Sequence, residues 1–458
     1  MPTPSPASPV ADTGAGRLPA RDRSVITLLL VSAFVVILNE TILSVALAPI
    51  MEDLHLQPTT AQWLTTAFML TMAVVIPATG FLISRFTTRT LFTTAMSLFL
   101  VGTVICALSF SFTPLLLGRV VQATGTAIMM PLLMTTVMNL VPSRQRGRVM
   151  GNISIVISVA PALGPTISGL VLSVLPWRFL FVVVLPIALA ALVMVRRRIE
   201  DVGETRPGRI DLLSLVLSGI GFGSLVYGLT GLGGGHGGET GGGSDTAAAF
   251  IGAGVLVLCV FIARQLRLQR TDEALLDLRT FASRNFAIST GLMVLMMGSL
   301  FGMIVLLPIY LQQVLDLPTL QVGLMLLPGG LIMGLAAPMV GRLYDRVGPR
   351  PLLVPGLALV GLGLLGLSTV GTDTSPLIIL GAHIVVSIGL AHVFTPLFST
   401  ALGALTRNLY SHGSAIIGTI QQVAGGAGTA IMVSIMAAGT AAVTARGGSQ
   451  AEGVAAGT

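Results

Sequence analysis

Thirteen apolar runs, each about as long as a bilayer is thick, constrain this chain more than any other feature of its sequence. They lie at about 25–50, 60–83, 91–110, 114–140, 148–173, 177–195, 211–231, 247–264, 286–312, 320–340, 352–370, 376–403 and 412–441. A helix needs about 20 mostly apolar residues to cross about 30 Å of hydrocarbon. The other spanning solution is a closed β-barrel, whose strands alternate polar and apolar over about ten residues. These runs are apolar nearly all round. Composition agrees: 53% of the 458 residues are hydrophobic, 9% are charged, and the mean hydropathy is +0.92. A soluble domain carries about 25% charged residues, so a soluble enzyme and a disordered chain are both excluded. The prediction is an all-α polytopic membrane protein.

The bases decide orientation. All 25 are arginine, set against 18 acids. With the N-terminus placed in the cytoplasm, 22 of the 25 fall in cytoplasmic segments. Arg178 and Arg446 fall outside, and Arg119 falls within a span. That bias follows the rule that arginine and lysine mark the inner face, so the positive charge signals a membrane face and not a nucleic-acid partner. The first 24 residues, rich in Pro, Ser, Ala and Gly and carrying Arg17, Arg21 and Arg23, read as a disordered cytoplasmic tail. The run that follows is too long for a signal peptide. Cys106 and Cys259 sit inside predicted spans as packing residues.

Two interruptions divide the chain. An arginine-rich linker covers 196–210, and a glycine-rich external loop with His236 covers Gly231–Gly243. The expected parts are a tail (1–24), a six-helix bundle (25–198), a two-helix insert with linkers (199–284) and a second bundle (285–458). An internal repeat supports this. Gly80-Phe-Leu-Ile-Ser-Arg85-Phe-Thr-Thr-Arg89 in the first bundle matches Gly341-Arg-Leu-Tyr-Asp345-Arg346-Val-Gly-Pro-Arg350 in the second. Two six-helix repeats and the insert make fourteen helices. With thirteen runs, the last helix is expected to be missing, and the polar tail after Thr444 to lie outside.

Polar groups at membrane depth are costly and mark function. Glu40 lies about fifteen residues into the first span, beside Asn39. Burial penalises its charged form, which suits a group that binds and releases a proton. The alternative is a structural acid, permanently protonated or paired with arginine. Arg119 keeps its charge at any relevant pH, with Gln122 about one turn on along the same face. Its functional role is to favour release of the proton from Glu40; the plain alternative is an arginine that snorkels to the interface. The fifth span carries Pro161, Gly164, Pro165 and Gly169. Proline kinks a helix and glycine allows close contact, so this is a packing seam that also serves motion if two halves rock. Gly80, Arg85, Arg89, Gly341, Asp345 and Arg346 are either latch residues of the cytoplasmic turns or ordinary topology markers.

Gln62, Trp63, Gln421 and Gln422 are candidate substrate contacts, as is Gln122, although Trp63 equally suits an interfacial anchor. Met129 and Met130 suit an adaptable apolar cavity, or plain packing. His383 and His392 are nine residues apart, on opposite sides of a helix, and read as separate structural residues. The chain has no lysine, so a nucleotide-binding loop that ends in lysine cannot form. No Cys/His cluster has metal-site spacing and no nucleophile elbow occurs. An enzyme is therefore not expected.

At these residues the chain resembles the major facilitator superfamily, in its fourteen-helix drug:proton antiporter branch, and within it the lincomycin-resistance type of exporter. Asn39-Glu40-Thr41 followed by Ala46-Leu47-Ala48-Pro49, both cytoplasmic turns, Arg119-Val-Val-Gln122-Ala-Thr-Gly125, and Gly164-Pro165 to Gly169 carry the resemblance over about residues 25–445. It departs at Ser84, where the first turn usually has aspartate, and at Ala123, where glycine is usual. The resemblance implies two six-helix bundles that alternate access across a bacterial inner membrane, with Glu40, Arg119 and Asn39 in proton coupling. It implies export of a lipophilic or cationic drug driven by the proton gradient, with no other cofactor, no metal, and a monomer in the bilayer. The alternative is a proton-coupled transporter of a native metabolite or a lipid-like amphiphile.

Overall fold

A span in hydrocarbon must satisfy its backbone hydrogen bonds within itself, and each apolar run does so as a helix. The computed structural model describes residues 19–198, 211–231, 243–447 and 449–457. The first half comprises α1 (Ala20–Asp53), α2 (Pro58–Arg85), α3 (Thr88–Ala107), α4 (Phe112–Leu140), α5 (Arg146–Leu172) and α6 (Phe179–Arg198). The insert is α7 (Leu212–Thr230) and α8 (Gly243–Leu268). The second half comprises α9 (Arg284–Gln313), α10 (Thr319–Val347), α11 (Arg350–Leu367), α12 (Pro376–Gly403), α13 (Tyr410–Thr444) and a short α14 (Gln450–Gly457). Among the described residues twelve helices are long and apolar enough to cross a membrane, and the shorter apolar stretch Phe179–Met194 stands beside them. The fold is that of an all-α polytopic membrane protein.

Two boundaries differ from expectation. Helix α1 begins at Ala20, within the segment read as tail, because Arg21, Asp22 and Arg23 extend the helix past the apolar run. Beyond Thr444 the tail turns back as α14, where small residues allow contact: Gly453 meets Thr440 and Val454 is buried. Most of the 196–210 linker and the loop with His236 lie outside the described residues.

Local chemistry sets the turns. Thr87 caps α3 by accepting the Thr90 N–H, and Ser283 caps α9 by accepting that of Phe286. Pro58 and Pro376 open α2 and α12, where a missing N–H costs nothing. Gly348 ends α10 at φ 77°, in the left-handed region where glycine is free of strain.

In lipid, helices associate through close packing of small residues. Helices α3 and α4 show this: a Cβ on Gly102 would stand 2.5 Å from the Gln122 amide nitrogen, and one on Gly118 would stand 2.7 Å from Cys106 Sγ. The apolar core is uneven. One continuous cluster runs through the second half and the arginine-rich end of the first, from Val25 and Phe92 to Phe398 and Ile417. A separate cluster, with Leu43, Leu64, Leu115 and Phe181, fills the opposite end of the first half. The two halves are thus joined at the end that carries the arginine turns. At the other end the first half closes on itself: Asp53 accepts from Trp177 Nε1 at 3.0 Å and from Arg178 at 2.9 Å. These donors, Trp177 first, hold the Asp53 carboxyl below its ordinary value.

Candidate functional site

The polar centre of the first half is built around Arg119, which is 1% exposed on α4. Its guanidinium donates to Gln122 Oε1 at 2.6 Å and to Asn39 Oδ1 at 3.3 Å. Gln122 in turn donates to Thr103 Oγ1 of α3 at 2.8 Å. The Phe68 ring of α2 lies under the guanidinium, its centroid 4.0 Å away, a contact worth about 2 kcal/mol when desolvated. Four helices therefore hold one cation. Glu40, half-buried on α1, feels the Arg119 charge through space, and no direct hydrogen bond joins them. Arg119 Nε and Asn39 Nδ2 are buried without a partner. Each such donor costs about 1–3 kcal/mol.

Helix α5 packs against the residue next to the acid and against the opposite half. Gly164 lies against Thr41, the residue after Glu40, so closely that a Cβ there would overlap the Thr41 side chain. Nearer the arginine-rich end α5 packs along α10. A Cβ on Gly330 would stand 2.7 Å from that of Ala162, and one on Gly151 would stand 2.5 Å from the Ala337 carbonyl; Gly341 meets the Gly147 backbone. Asp345 closes this seam. Its two carboxylate oxygens accept the N–H groups of Gly147 at 2.8 Å and Arg148 at 2.9 Å, which are unpaired donors at the head of α5 and suited to an anion. Ser154 and Thr395 share a further hydrogen bond across the halves at 2.8 Å. Pro161 and Pro165 stay within the continuous helix α5, with Pro165 and Gly169 on its exposed side.

The α2–α13 seam differs. Gly80 lies against His412 and Ala415 of α13. Ser84, at the position where the first turn departs from the usual aspartate, donates to the Phe81 carbonyl of its own helix at 2.7 Å. Arg85 stacks over Phe81 at 4.8 Å, while Arg89 and Arg346 are exposed.

The candidate substrate contacts are scattered. Gln122 and Met129 are fully buried within the first half, Gln122 inside the arginine cluster. Trp63 stacks on Tyr227 of α7, centroids 5.9 Å apart, at the seam with the insert. Gln62, Met130, Gln421 and Gln422 are half-buried. The last two follow Gly418, which meets Ile76 of α2 and Pro131 of α4. His383 lies against Gly329 of α10, 3.3 Å from the Leu326 carbonyl, while the His392 ring faces its own helix at Ile388. Phe68 and Thr103 escaped sequence reading. Phenylalanine and threonine are ordinary in membrane helices, and only the neighbouring helices reveal their role.

The family model described as Major Facilitator Superfamily matches residues 29–429. The MFS-type transporter YcnB of Bacillus subtilis is 41% identical over 91% of this chain and 86% of its own length. The lincomycin resistance protein LmrB of Listeria monocytogenes is 39% identical over the same shares. The multidrug resistance protein B homolog of Mycobacterium tuberculosis is 30% identical over 86% of this chain and 72% of its own length. Among solved structures, the human organic anion transporter MFSD10 superposes with a TM-score of 0.67 at 14% identity, covering 96% of each chain. The proton:xylose symporter XylE superposes with a TM-score of 0.63 at 13% identity, covering 96% of this chain and 93% of its own. Both show a shared fold.

Proposed function

The chain belongs to the major facilitator superfamily and is a membrane transporter, and on that premise we propose that it exports lipophilic or cationic drugs across a bacterial inner membrane in exchange for protons. The observation that carries this reading is the path from Glu40 through Thr41 and Gly164 to α5, and along α5 to the Asp345 latch. One helix thus senses the acid and holds the halves together.

The cycle follows from charge. A proton on Glu40 cancels its attraction to Arg119 and relaxes α1 against α5. The head of α5 then shifts from Asp345, and the arginine-rich end opens toward the cytoplasm, where the 22 arginines place it. A cationic or lipophilic substrate that enters favours loss of the proton, and the end closes again. Each charge moved across the membrane is driven by about 2.3 kcal/mol per 100 mV, so the proton gradient suffices and no cofactor is used. The transporter acts as a monomer. The names of the LmrB and multidrug resistance relatives support a drug substrate.

The test is transport by purified protein in vesicles under an imposed pH gradient, with lincomycin and a lipophilic cation as substrates. Glu40→Gln is expected to insert normally and lose gradient-driven export by at least about 100-fold. Full export by that variant overturns Glu40 as the coupling acid. Exchange of sugars or native amphiphiles in place of drugs overturns the substrate class.

A further inference from the structure

The insert is bonded to the linker that follows it, and through that linker to α13. At the head of α7, Asp211 accepts from Arg264 of α8 at 2.8 and 3.0 Å and from Ser214 Oγ at 2.6 Å. Ser214 Oγ accepts from Gln265 Nε2 at 2.8 Å. Gln265 Oε1 accepts the N–H groups of Leu275 at 2.8 Å and Leu276 at 3.3 Å. Next along the linker, the Asp277 N–H donates to Nδ1 of His412 at 3.4 Å, and the Leu275 carbonyl bonds the same ring. Ser214 and Gln265 are 0% exposed and Asp277 is 4% exposed. A polar group this deep is kept only when it is paired, and here each pairs with the next. The path from α7 to α13 is unbroken.

The insert also grips α2. Gly219 and Gly223 of α7 rest on Val74, and Tyr227 stacks on Trp63. It therefore holds α2 along its length and α13 at its head. These two helices meet at Gly80, where a Cβ would stand 3.1 Å from His412 Cα and 3.3 Å from Nδ1. This is the seam whose turn carries Ser84, bonded into its own helix, in place of an acid. On the matching α5–α10 seam, Asp345 ties the halves directly. The charges around His412 belong to Asp277, Arg279 and Arg85, all from the linker and α2.

We propose that α7, α8 and the 269–283 linker form a strap that locks the α2–α13 side of the arginine-rich end, with Gln265, Leu275, Asp277 and His412 replacing the tie that Asp345 makes on the α5–α10 side. His412 and Gln265 are positioning residues: they touch no substrate and bias which end is closed. The proposal rests on the reading that the halves rock.

Pulsed electron-spin distance measurements on purified protein in nanodiscs test it without substrate. One pair of spin labels at Phe86 and Asn408 reports the α2–α13 side, and a second at Arg144 and Arg346 reports the α5–α10 side. His412→Ala and Gln265→Leu, at opposite ends of the path, are each expected to raise the open population of the first pair about five- to tenfold. His412→Asn keeps an acceptor near the Nδ1 position and should restore most of the closed population, which a loss of bulk or fold would not explain. Unchanged distances in both variants, at unchanged melting temperature, overturn the strap. Asp345→Ala is the companion control. If it opens the second pair while the strap variants leave the first closed, the strap alone is wrong. If it also moves nothing, the rocking reading fails with it.

Discussion

The two halves share one helical plan and spend their polar residues differently. In the first, α4 carries Arg119 and α1 carries Asn39 and Glu40, with Gln122, Thr103 and Phe68 gathered around a single buried cation. In the second, the corresponding helices α12 and α9 bury apolar residues such as Met293, Met297, Met303, Leu390 and Phe394 in the continuous core, and the buried ring of His383 bonds one carbonyl. The gating residues divide the other way. The second half's turn supplies Asp345, whereas the first half's turn has Ser84 bonded to its own helix. On the proposed reading each half depends on the other: one holds the ionisable centre, and the other holds the latch that the centre would release. A repeat that had kept both in both halves would need to move two acids in step.

The largest expected effect breaks the ionisable half. Arg119→Met removes the charge that faces Glu40 and leaves Asn39 Oδ1 and Gln122 Oε1 without their shared donor, at about 1–3 kcal/mol each. Gradient-driven transport should fall at least about 100-fold and lose its pH dependence. Transport with an unaltered pH profile removes Arg119 from coupling. Lysine is no substitute, because a compact ammonium lacks the planar face that stacks on the Phe68 ring.

Asp345→Asn attacks the latch half with a smaller effect. It removes the negative charge and one of the two acceptors at the head of α5. Charge-assisted hydrogen bonds contribute about 1.5–3 kcal/mol each, so the closed arginine-rich end should lose population about tenfold. Labelling of a cysteine at Ser158, buried against Gly330 and Gly334 of α10, by a hydrophilic thiol reagent reads this directly once Cys259 is replaced by serine; unchanged labelling shows that Asp345 only marks topology.

A third prediction concerns the staple that joins α7 to α8 within the insert. Arg264 first, then Ser214, hold the Asp211 carboxyl down at about 2, from an ordinary 3.8. The sign follows from linkage: a depressed acid stabilises the fold fully above its unfolded value, and that contribution fades as pH drops through the folded value. The melting temperature of the wild-type protein should therefore decline between about pH 4 and 2, and Asp211→Asn should lose this part of the slope. The smallest effect is expected at His383→Gln, which keeps a donor for the Leu326 carbonyl. Transport should stay within about twofold. A large loss would give the second half an ionisable role and dissolve the contrast between the halves.

Much of this was legible in the residues themselves. The spans, the arginine bias and the paired turns are periodic or compositional, and such signals survive without contacts. Glu40 and Arg119 stood out because a carboxyl or guanidinium in an apolar run is costly. What could not be read was which small or neutral residues complete the site. Thr41 matters because Gly164 lies against it, and Trp63, a candidate substrate contact, is engaged by Tyr227 from an insert about 160 residues away. His412 sits at the head of α13 with no sequence pattern to set it apart, and its partner Asp277 reaches it from the linker.

The sequence by itself determined that the chain crosses a membrane as helices, and which two residues are ionisable at depth. Hydrocarbon allows few backbone solutions, and it penalises charge wherever it lies along the chain. The tertiary structure alone decided which neighbours those residues and turns meet: Gly164 of α5 against Thr41, Asp345 at the head of α5, the closed arginine-rich end, and the insert laid across α2 and α13. Such pairings depend on which glycine faces which neighbour, and in lipid close packing, not hydrophobicity, selects the partner.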